Sequence, residues 1–148
     1  MSLSDKELVI LLVHHSRGQT ISGRTRFQKI VYLLEEQEIN FGYGFRPHLY
    51  GPYSEDLKND ITMLVKLGLI EEEKRDIEFD GVVYDKYEYS LTEDGRRIAE
   101  RIERKSSEIV ERLRNLVNDF QDLSTGSLIL SSKFIMNNKL SKEYYTPV

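Results

Sequence analysis

Cysteine and tryptophan are absent from this sequence, which has only three prolines and three histidines. Without cysteine the chain has no disulfide, no catalytic thiolate and no cysteine-ligated zinc. No apolar run approaches the length of about 18 residues that a membrane-spanning helix needs, because positions 8–13 hold only six apolar residues in a row. That run also lacks the layout of a cleavable signal. We therefore expect no membrane partner and a cytoplasmic location.

The chain has 148 residues, of which 39% are apolar and 31% are charged. This length and this apolar content are enough for one sizeable hydrophobic core. We expect one domain over residues 1–100, followed by a helical extension over residues 101–148. The net charge of −4 conceals an uneven distribution, because residues 71–95 sum to −7 and residues 96–148 sum to +3. An acidic block of this size bears on which partners the chain can approach.

Residues suited to catalysis or metal binding are scarce. His14 and His15 are adjacent, and neighbours lie about 100° apart around a helix, so the spacing predicts that they cannot share one ion. The glycines of Gly42-Tyr43-Gly44 follow a predicted helix rather than a strand, which is the wrong context for a phosphate-binding loop. No nucleophile–base pair can be assembled from the other residues. We therefore predict a protein that is not an enzyme and has no cofactor and no metal.

Two helices are predicted before residue 40. Ser4 and Glu7 have the spacing of a capping box and precede the apolar run at positions 8–13, which indicates a first helix that ends near Arg17. A second helix is predicted over positions 23–37. Its buried face repeats at intervals of three and four residues and consists of Phe27, Ile30, Val31 and Leu34.

The strongest local pattern lies at residues 51–70. Ser54 is a candidate N-cap, and Gly68 stands where a helix ends in a left-handed conformation before a strand begins. Ahead of this third helix, residues 41–50 alternate aromatic residues with glycine, which indicates a loop and a short strand. The apolar stripe of the helix consists of Leu57, Ile61 and Leu64.

A β-hairpin and further helices are predicted after the third helix. Strands at residues 69–75 and 82–91 flank a connection whose Asp80-Gly81 dipeptide is typical of a turn. Thr92 then caps a long helix that extends to Phe120 with an interruption at Ser106-Ser107. Residues 128–136 predict a last short helix, although their apolar runs leave a strand open.

The order helix, helix, short strand, helix, hairpin, long helix resembles a winged helix-turn-helix. Leu69-Ile70 after Gly68, followed by Leu91-Thr92-Glu93-Asp94-Gly95, is similar to motifs of the PadR and MarR regulator groups. A closer resemblance is to YwgA-like proteins, carried by residues 23–29 (GRTRFQK) and 50–54 (YGPYS). The resemblance implies an α+β fold, mainly α, with three helices, a hairpin wing and a C-terminal helical extension. It implies no catalytic activity.

By this resemblance the chain is expected to be a DNA-binding transcriptional regulator that contacts double-stranded DNA. The third helix would be the recognition helix, and basic residues near the start of the second helix would contact phosphates. The expected nucleic-acid-binding residues are Arg24, Thr25, Arg26, Lys29, Lys58, Asn59, Thr62, Lys66, Lys74 and Arg75.

The charge of the wing supports an alternative function. Residues 71–88 contain eight acidic and three basic residues, a net charge of −5, which DNA phosphates would repel. The alternative is a protein-interaction module without DNA binding, in which the acidic wing docks a basic protein partner.

The C-terminal helices predict a homodimer. Beyond Ser106, apolar residues step by four, three and four, the spacing of a coiled-coil seam. Such a seam would be costly to leave in water, and two-fold pairing is the commonest assembly. The competing interpretation is that the last helix folds back and covers the seam within one chain through Leu128, Ile129, Phe134 and Ile135. The expected dimerisation residues are Ile109, Leu113, Leu116 and Phe120.

Overall fold

A computed structural model describes residues 3–105 and 107–144. The fold is α+β and mainly helical, with a small three-stranded antiparallel sheet. None of its described helices is long and apolar enough to cross a bilayer. The helices are α1 (Asp5–His15), α2 (Arg24–Glu36), α3 (Glu55–Lys66), α4 (Glu93–Glu103), α5 (Ser107–Phe120) and α6 (Thr125–Tyr144). The strands are β1 (Thr20–Ser22), β2 (Ile70–Phe79) and β3 (Val82–Leu91).

The first helix lies at the centre of the core. Ser4 and Glu7 form the predicted capping box, and both of its hydrogen bonds are present. Every residue from Leu8 to Val13 is buried, because β3 and the helices α3, α4 and α5 contact α1 from several sides. An all-apolar helix surface is thus covered on nearly its whole circumference.

The predicted faces of α2 and α3 are confirmed. Phe27 and Leu34 of α2 are fully buried, as are Leu57 and Leu64 of α3. The hydroxyl of Ser54 accepts the amide of Leu57, so the expected N-cap is present. At the other end Gly68 has φ +73, the left-handed conformation predicted for it.

The sheet has the order β1-β3-β2, and its hairpin is longer than expected. Strand β2 continues to Phe79, so only Asp80 and Gly81 form the turn. Both have positive φ, 54° and 78°, which matches the right-handed twist of a tight two-residue hairpin. Residues 76–79, predicted to lie in the connection, instead belong to β2, where Ile77 and Phe79 alternate with Asp76 and Glu78.

The expected short strand lies elsewhere in the chain. Segment 37–54 has an isolated bridge between Arg46 and Tyr53, whereas the third strand is β1, between α1 and α2. Strand β1 pairs with β3 over Thr20–Ser22. Three residues carry little periodicity of their own, so only the long-range pairing identifies them as a strand.

The C-terminal helices pack on the helices of the predicted first domain. The long helix breaks as expected, because α4 ends at Glu103 and α5 begins at Ser107. Helix α5 contacts α1 and α2, and α6 contacts α2. The last helix begins at Thr125 and extends to Tyr144, which excludes a strand at 128–136 and is longer than predicted. Residues from both helices join the core: Val110, Leu113, Val117, Leu128 and Met136.

Candidate functional site

The two segments that carry the YwgA-like resemblance contact each other. The side-chain amide of Gln28 donates to the carbonyl oxygen of Ser54 at 2.9 Å and accepts the amide of Ser54 at 2.9 Å. These buried hydrogen bonds satisfy both backbone groups of the residue that caps α3. The pair therefore sets where α3 begins relative to α2.

Lys29 lies in the core beside this contact. Its side chain is 1% exposed, and its ammonium donates to the carbonyl oxygen of Pro52 at 2.7 Å. Burial lowers the pKa of Lys29 to about 8, and the nearby charge of Lys133 acts in the same direction. From this position Lys29 does not reach a phosphate on the surface, so the structure places this expected DNA contact inside the fold.

A second pair of motifs meets at the base of the hairpin. The hydroxyl of Thr92 donates to the carbonyl oxygen of Gly68 at 2.6 Å and accepts the amide of Gly95 at 3.0 Å. A Cβ atom at Gly95 would lie 2.1 Å from the carbonyl oxygen of Leu69. Only glycine permits this approach of α4 to the chain that enters β2. The motif pair thus attaches the hairpin firmly to the body.

These contacts frame a concavity of about 690 Å³ between α2, α3 and the base of the hairpin. The guanidinium of Arg24 lies 3.5 Å from the centroid of the Tyr87 ring, a cation–π contact at the rim. Tyr89 lies on the wall, where burial and a hydrogen bond to Glu72 raise its pKa to about 12. The concavity is lined by Arg24, Phe27, Gln28, His48, Tyr50, Tyr53, Glu55, Lys58, Ile61, Thr62, Glu72 and Tyr89. Its charges are mixed.

The exposed face of α3 carries four of the expected DNA contacts. Lys58 lies 3.7 Å from Glu55, one turn earlier, and its side chain is 59% exposed. The hydroxyl of Thr62 donates back to the carbonyl of Lys58. Asn59 and Lys66 are exposed. Of these residues, Lys58 and Thr62 line the concavity together with Arg24 at the start of α2.

The remaining basic residues are engaged within the chain. Arg26 donates from both terminal nitrogens, at 2.7 Å, to the carbonyl oxygens of Gln121 and Leu123, where α5 ends. It therefore caps a helix C-terminus, an arrangement that suits a cation. Thr25 is half-buried and lines a second cleft, to which residues 85–87 of β3 also contribute. The structure does not bring these residues onto the face of Lys58 and Lys66.

Two of the three basic residues of the hairpin pair with its own acids. Lys74 lies 3.5 Å from Asp85 across the strands, and Arg75 lies 3.4 Å from Glu88. A second acid, Glu73, is 3.7 Å from Arg75. These cations are partly neutralised locally, so the hairpin keeps its net negative character where it projects.

The outer hairpin carries an exposed apolar face that the sequence analysis missed. In the strand register, Ile77 is opposite Tyr84 and Phe79 is opposite Val82, so these four side chains share one face. Their exposures are 40%, 53%, 72% and 49%. We name these residues the apolar face of the hairpin. The opposite face carries Asp76, Glu78, Val83 and Asp85.

The expected dimerisation stripe is largely covered within the chain. Leu113 is fully buried, and Ile109, Leu116 and Phe120 are half-buried against the core. The elements that cover the stripe are α1 and α2. The competing interpretation expected the last helix to cover it, but that helix is not the main cover. Helix α6 instead exposes Leu130 and Phe134 at 71% and 68%.

The two adjacent histidines converge on one carboxylate. The Nε2 atoms of His14 and His15 lie 3.4 Å and 2.6 Å from Oε1 of Glu103. The premise that helical spacing keeps the two ring nitrogens apart is therefore wrong, whereas the expectation that they do not share an ion stays a prediction. The error arose because flexible side chains at the end of a helix can turn toward a common neighbour, which ring positions on a helical wheel do not describe.

The chain is similar to the uncharacterized protein YwgA of Bacillus subtilis (strain 168). The two are 39% identical over 90 residues, which is 61% of this chain and 52% of YwgA. The chain thus spans about half the length of the curated relative that it matches. This supports the YwgA-like resemblance noted from the motifs. No protein-family model matches the chain.

Proposed function

We propose that this chain is a protein-interaction module of the winged-helix type that docks a basic protein partner through its hairpin. The hairpin after α3, with β1 paired to it, supports the winged-helix assignment. Residues 37–54 separate α2 from α3, whereas the turn of a DNA-binding helix-turn-helix has about three to four residues. This longer connection favours a role other than DNA reading.

The apolar face of the hairpin is the observation that carries the proposal. Four large apolar side chains lie together in water at the end of an element that projects beyond β1. Isolated exposed apolar residues are common, but a contiguous patch on a projecting element is typical of an interaction site. Phe79 adds little to the stability of the sheet, because its side chain is 72% exposed.

The charge of the same element indicates the chemistry of the partner. The opposite face carries Asp76, Glu78 and Asp85, with Asp80 at the turn. These acids repel phosphates and attract lysine and arginine side chains. Strand β2 is also an edge strand, because the sheet order is β1-β3-β2. Its free backbone groups can pair with an extended segment of a partner.

The test uses a peptide with alternating lysine and valine as the probe and its glutamate counterpart as the matched control peptide. We expect the lysine peptide to bind the parent and the glutamate peptide to bind at least about tenfold more weakly. The variant Phe79→Ser/Tyr84→Ser should lose binding, whereas Leu130→Ser/Phe134→Ser, exposed on α6, should keep it. Equal binding of both peptides, or loss of binding in the α6 variant only, would contradict the proposal.

DNA binding is the second candidate function, because Arg24, Lys58 and Lys66 remain exposed around the concavity and on α3. A titration of mixed-sequence duplex at two salt concentrations tests it. If these residues contact phosphates, Arg24→Ala/Lys58→Ala/Lys66→Ala should weaken binding and lower the salt slope by about one per lost contact. Arg97→Ala, on exposed α4, is the control. A parent without affinity at low salt would exclude this candidate.

A further inference from the structure

We infer that His14, His15 and Glu103 form a binding site for a first-row divalent metal ion of the Zn²⁺ class. Each residue offers one ligand atom, and the three atoms lie within 4.8 Å of one another. Two imidazoles and one carboxylate are a donor set that Zn²⁺ and its neighbours prefer, with a water molecule in the fourth position.

The distances suit a tetrahedral ion after a small adjustment. Metal–ligand bonds of about 2.0–2.2 Å place neighbouring ligand atoms about 3.4 Å apart in a tetrahedron. His14 Nε2 is already 3.4 Å from Glu103 Oε1, whereas His15 Nε2 at 2.6 Å must move outward. The Glu103 side chain is 31% exposed, so we expect a rotation of this side chain to open the distance.

A buried atom at the site lacks a partner. Nε2 of His15 is buried and has no hydrogen bond within the described part of the chain, although Glu103 Oε1 is close. A short contact without hydrogen-bond geometry leaves the buried nitrogen of His15 unsatisfied. A metal ion between them would accept a lone pair from each and remove this cost.

The fold around the site favours a cation. His14 and His15 are the last residues of α1, and Glu103 is the last residue of α4. The C-terminal ends of two helices thus converge there, and each carries partial negative charge. Arg114 lies near enough to act on His15 and opposes a cation, so the site needs the carboxylate of Glu103.

Gln19 supplies an outer contact of the kind that metal-binding histidines use. Its side-chain amide is 3.1 Å from Nδ1 of His14, and its backbone is held at φ 53 after Gly18 at φ 67. With a metal on Nε2, the Nδ1–H group donates, and a rotated Gln19 amide presents its oxygen to accept. The strained turn thus places a side chain that can orient the ligand.

The experiment is a calorimetric titration of the tag-free full chain with Zn²⁺, repeated with Co²⁺ to record the visible absorption of a tetrahedral site. We expect one ion per chain and a higher melting temperature with the metal. His14→Gln and Glu103→Gln should each lower the affinity by at least about tenfold, and Gln19→Ala by about tenfold. His48→Gln is the matched control, because His48 is the third histidine and lies on the concavity.

Each outcome decides the proposal. Saturable binding that is lost in the ligand variants and kept in His48→Gln supports it. No saturable binding by the folded parent overturns it, and so does equal affinity of the parent and Glu103→Gln. If His14→Gln fails to fold, Glu103→Gln still tests the site because its half-exposed side chain contributes little to the core.

Discussion

The buried amide of Gln28 makes two hydrogen bonds with the backbone of Ser54, one in each direction and both at 2.9 Å. Removal of this amide would leave the buried N–H of Ser54 unsatisfied at the start of α3, whereas the carbonyl oxygen of Ser54 keeps the amide of Lys58 at 3.2 Å. One unsatisfied buried donor costs about 1–3 kcal/mol, so we expect Gln28→Ala to lower the free energy of unfolding by about that amount. Denaturant unfolding measures this. Gln37→Ala, exposed at the end of the same helix, should change it little.

Gly95 is expected to tolerate no side chain. A Cβ atom there would meet the carbonyl oxygen of Leu69 at 2.1 Å, so Gly95→Ala must displace α4 from the residue that precedes β2. We expect a loss of about 1–3 kcal/mol or more in stability. Gly126→Ala in α6 is the control, since its nearest neighbour is 3.9 Å away, and it should be neutral or stabilising by up to about 1 kcal/mol. Similar melting temperatures for both variants would contradict the close approach.

The raised pKa of Glu35 predicts that the stability of the fold depends on pH in the acidic range. Burial raises its pKa from 4.5 to about 7, and the charges of Asp5 and Glu36 act in the same direction. Because the folded state holds this proton more tightly, its contribution to stability is complete below pH 4.5 and is lost as the pH rises through about 7. The amide of Tyr43, 2.9 Å from Oε1, and Lys139 limit the shift.

Glu35→Gln should remove this dependence, because the glutamine oxygen still accepts the amide of Tyr43 and carries no charge. We expect the variant to be more stable than the parent by about 1 kcal/mol above pH 7, after allowance for solvent screening, and equal to it at pH 4.5. Thermal unfolding across this pH range provides the measurement. Exposed Glu100→Gln is the control, and a parallel pH profile for parent and Glu35→Gln would refute the prediction.

Leu113 is expected to stabilise the single chain rather than a dimer contact. It is fully buried, so Leu113→Ala should cost about 2–5 kcal/mol in unfolding free energy. Leu49→Ala, 73% exposed between α2 and α3, should change stability by no more than about 0.5 kcal/mol. Equal effects of the two substitutions would place Leu113 outside the core.

The homodimer stays a prediction, and its surface is now expected on α6. Sedimentation of the parent and of Leu130→Glu/Phe134→Glu tests it, since these two side chains remain exposed after α5 is covered. The parent should sediment as a dimer and the variant as a 17.4 kDa monomer. A parent that remains a monomer at all concentrations excludes the dimer.

Much of the fold could be predicted from local patterns. The capping box at Ser4, the stripes of α2 and α3, the left-handed Gly68 and the break before Ser107 all follow from spacing and chain stereochemistry within a few residues. The residues that carry the YwgA-like resemblance, 23–29 and 50–54, also lie where buried hydrogen bonds fix the backbone. The sequence could not show that the constrained segments pair with one another, because Gln28 and Ser54 are 26 residues apart.

The candidate sites depended on tertiary contacts. Charge and the family resemblance predicted that Lys29 and Arg26 contact phosphate. In the structure the buried ammonium of Lys29 donates to the carbonyl of Pro52, and the partly buried guanidinium of Arg26 donates to carbonyls just after α5. Likewise, a helical wheel separates His14 from His15, while the packing of α4 against α1 brings Glu103 to both. Local stereochemistry determines which elements form, whereas the partners of long side chains are decided by which elements pack together.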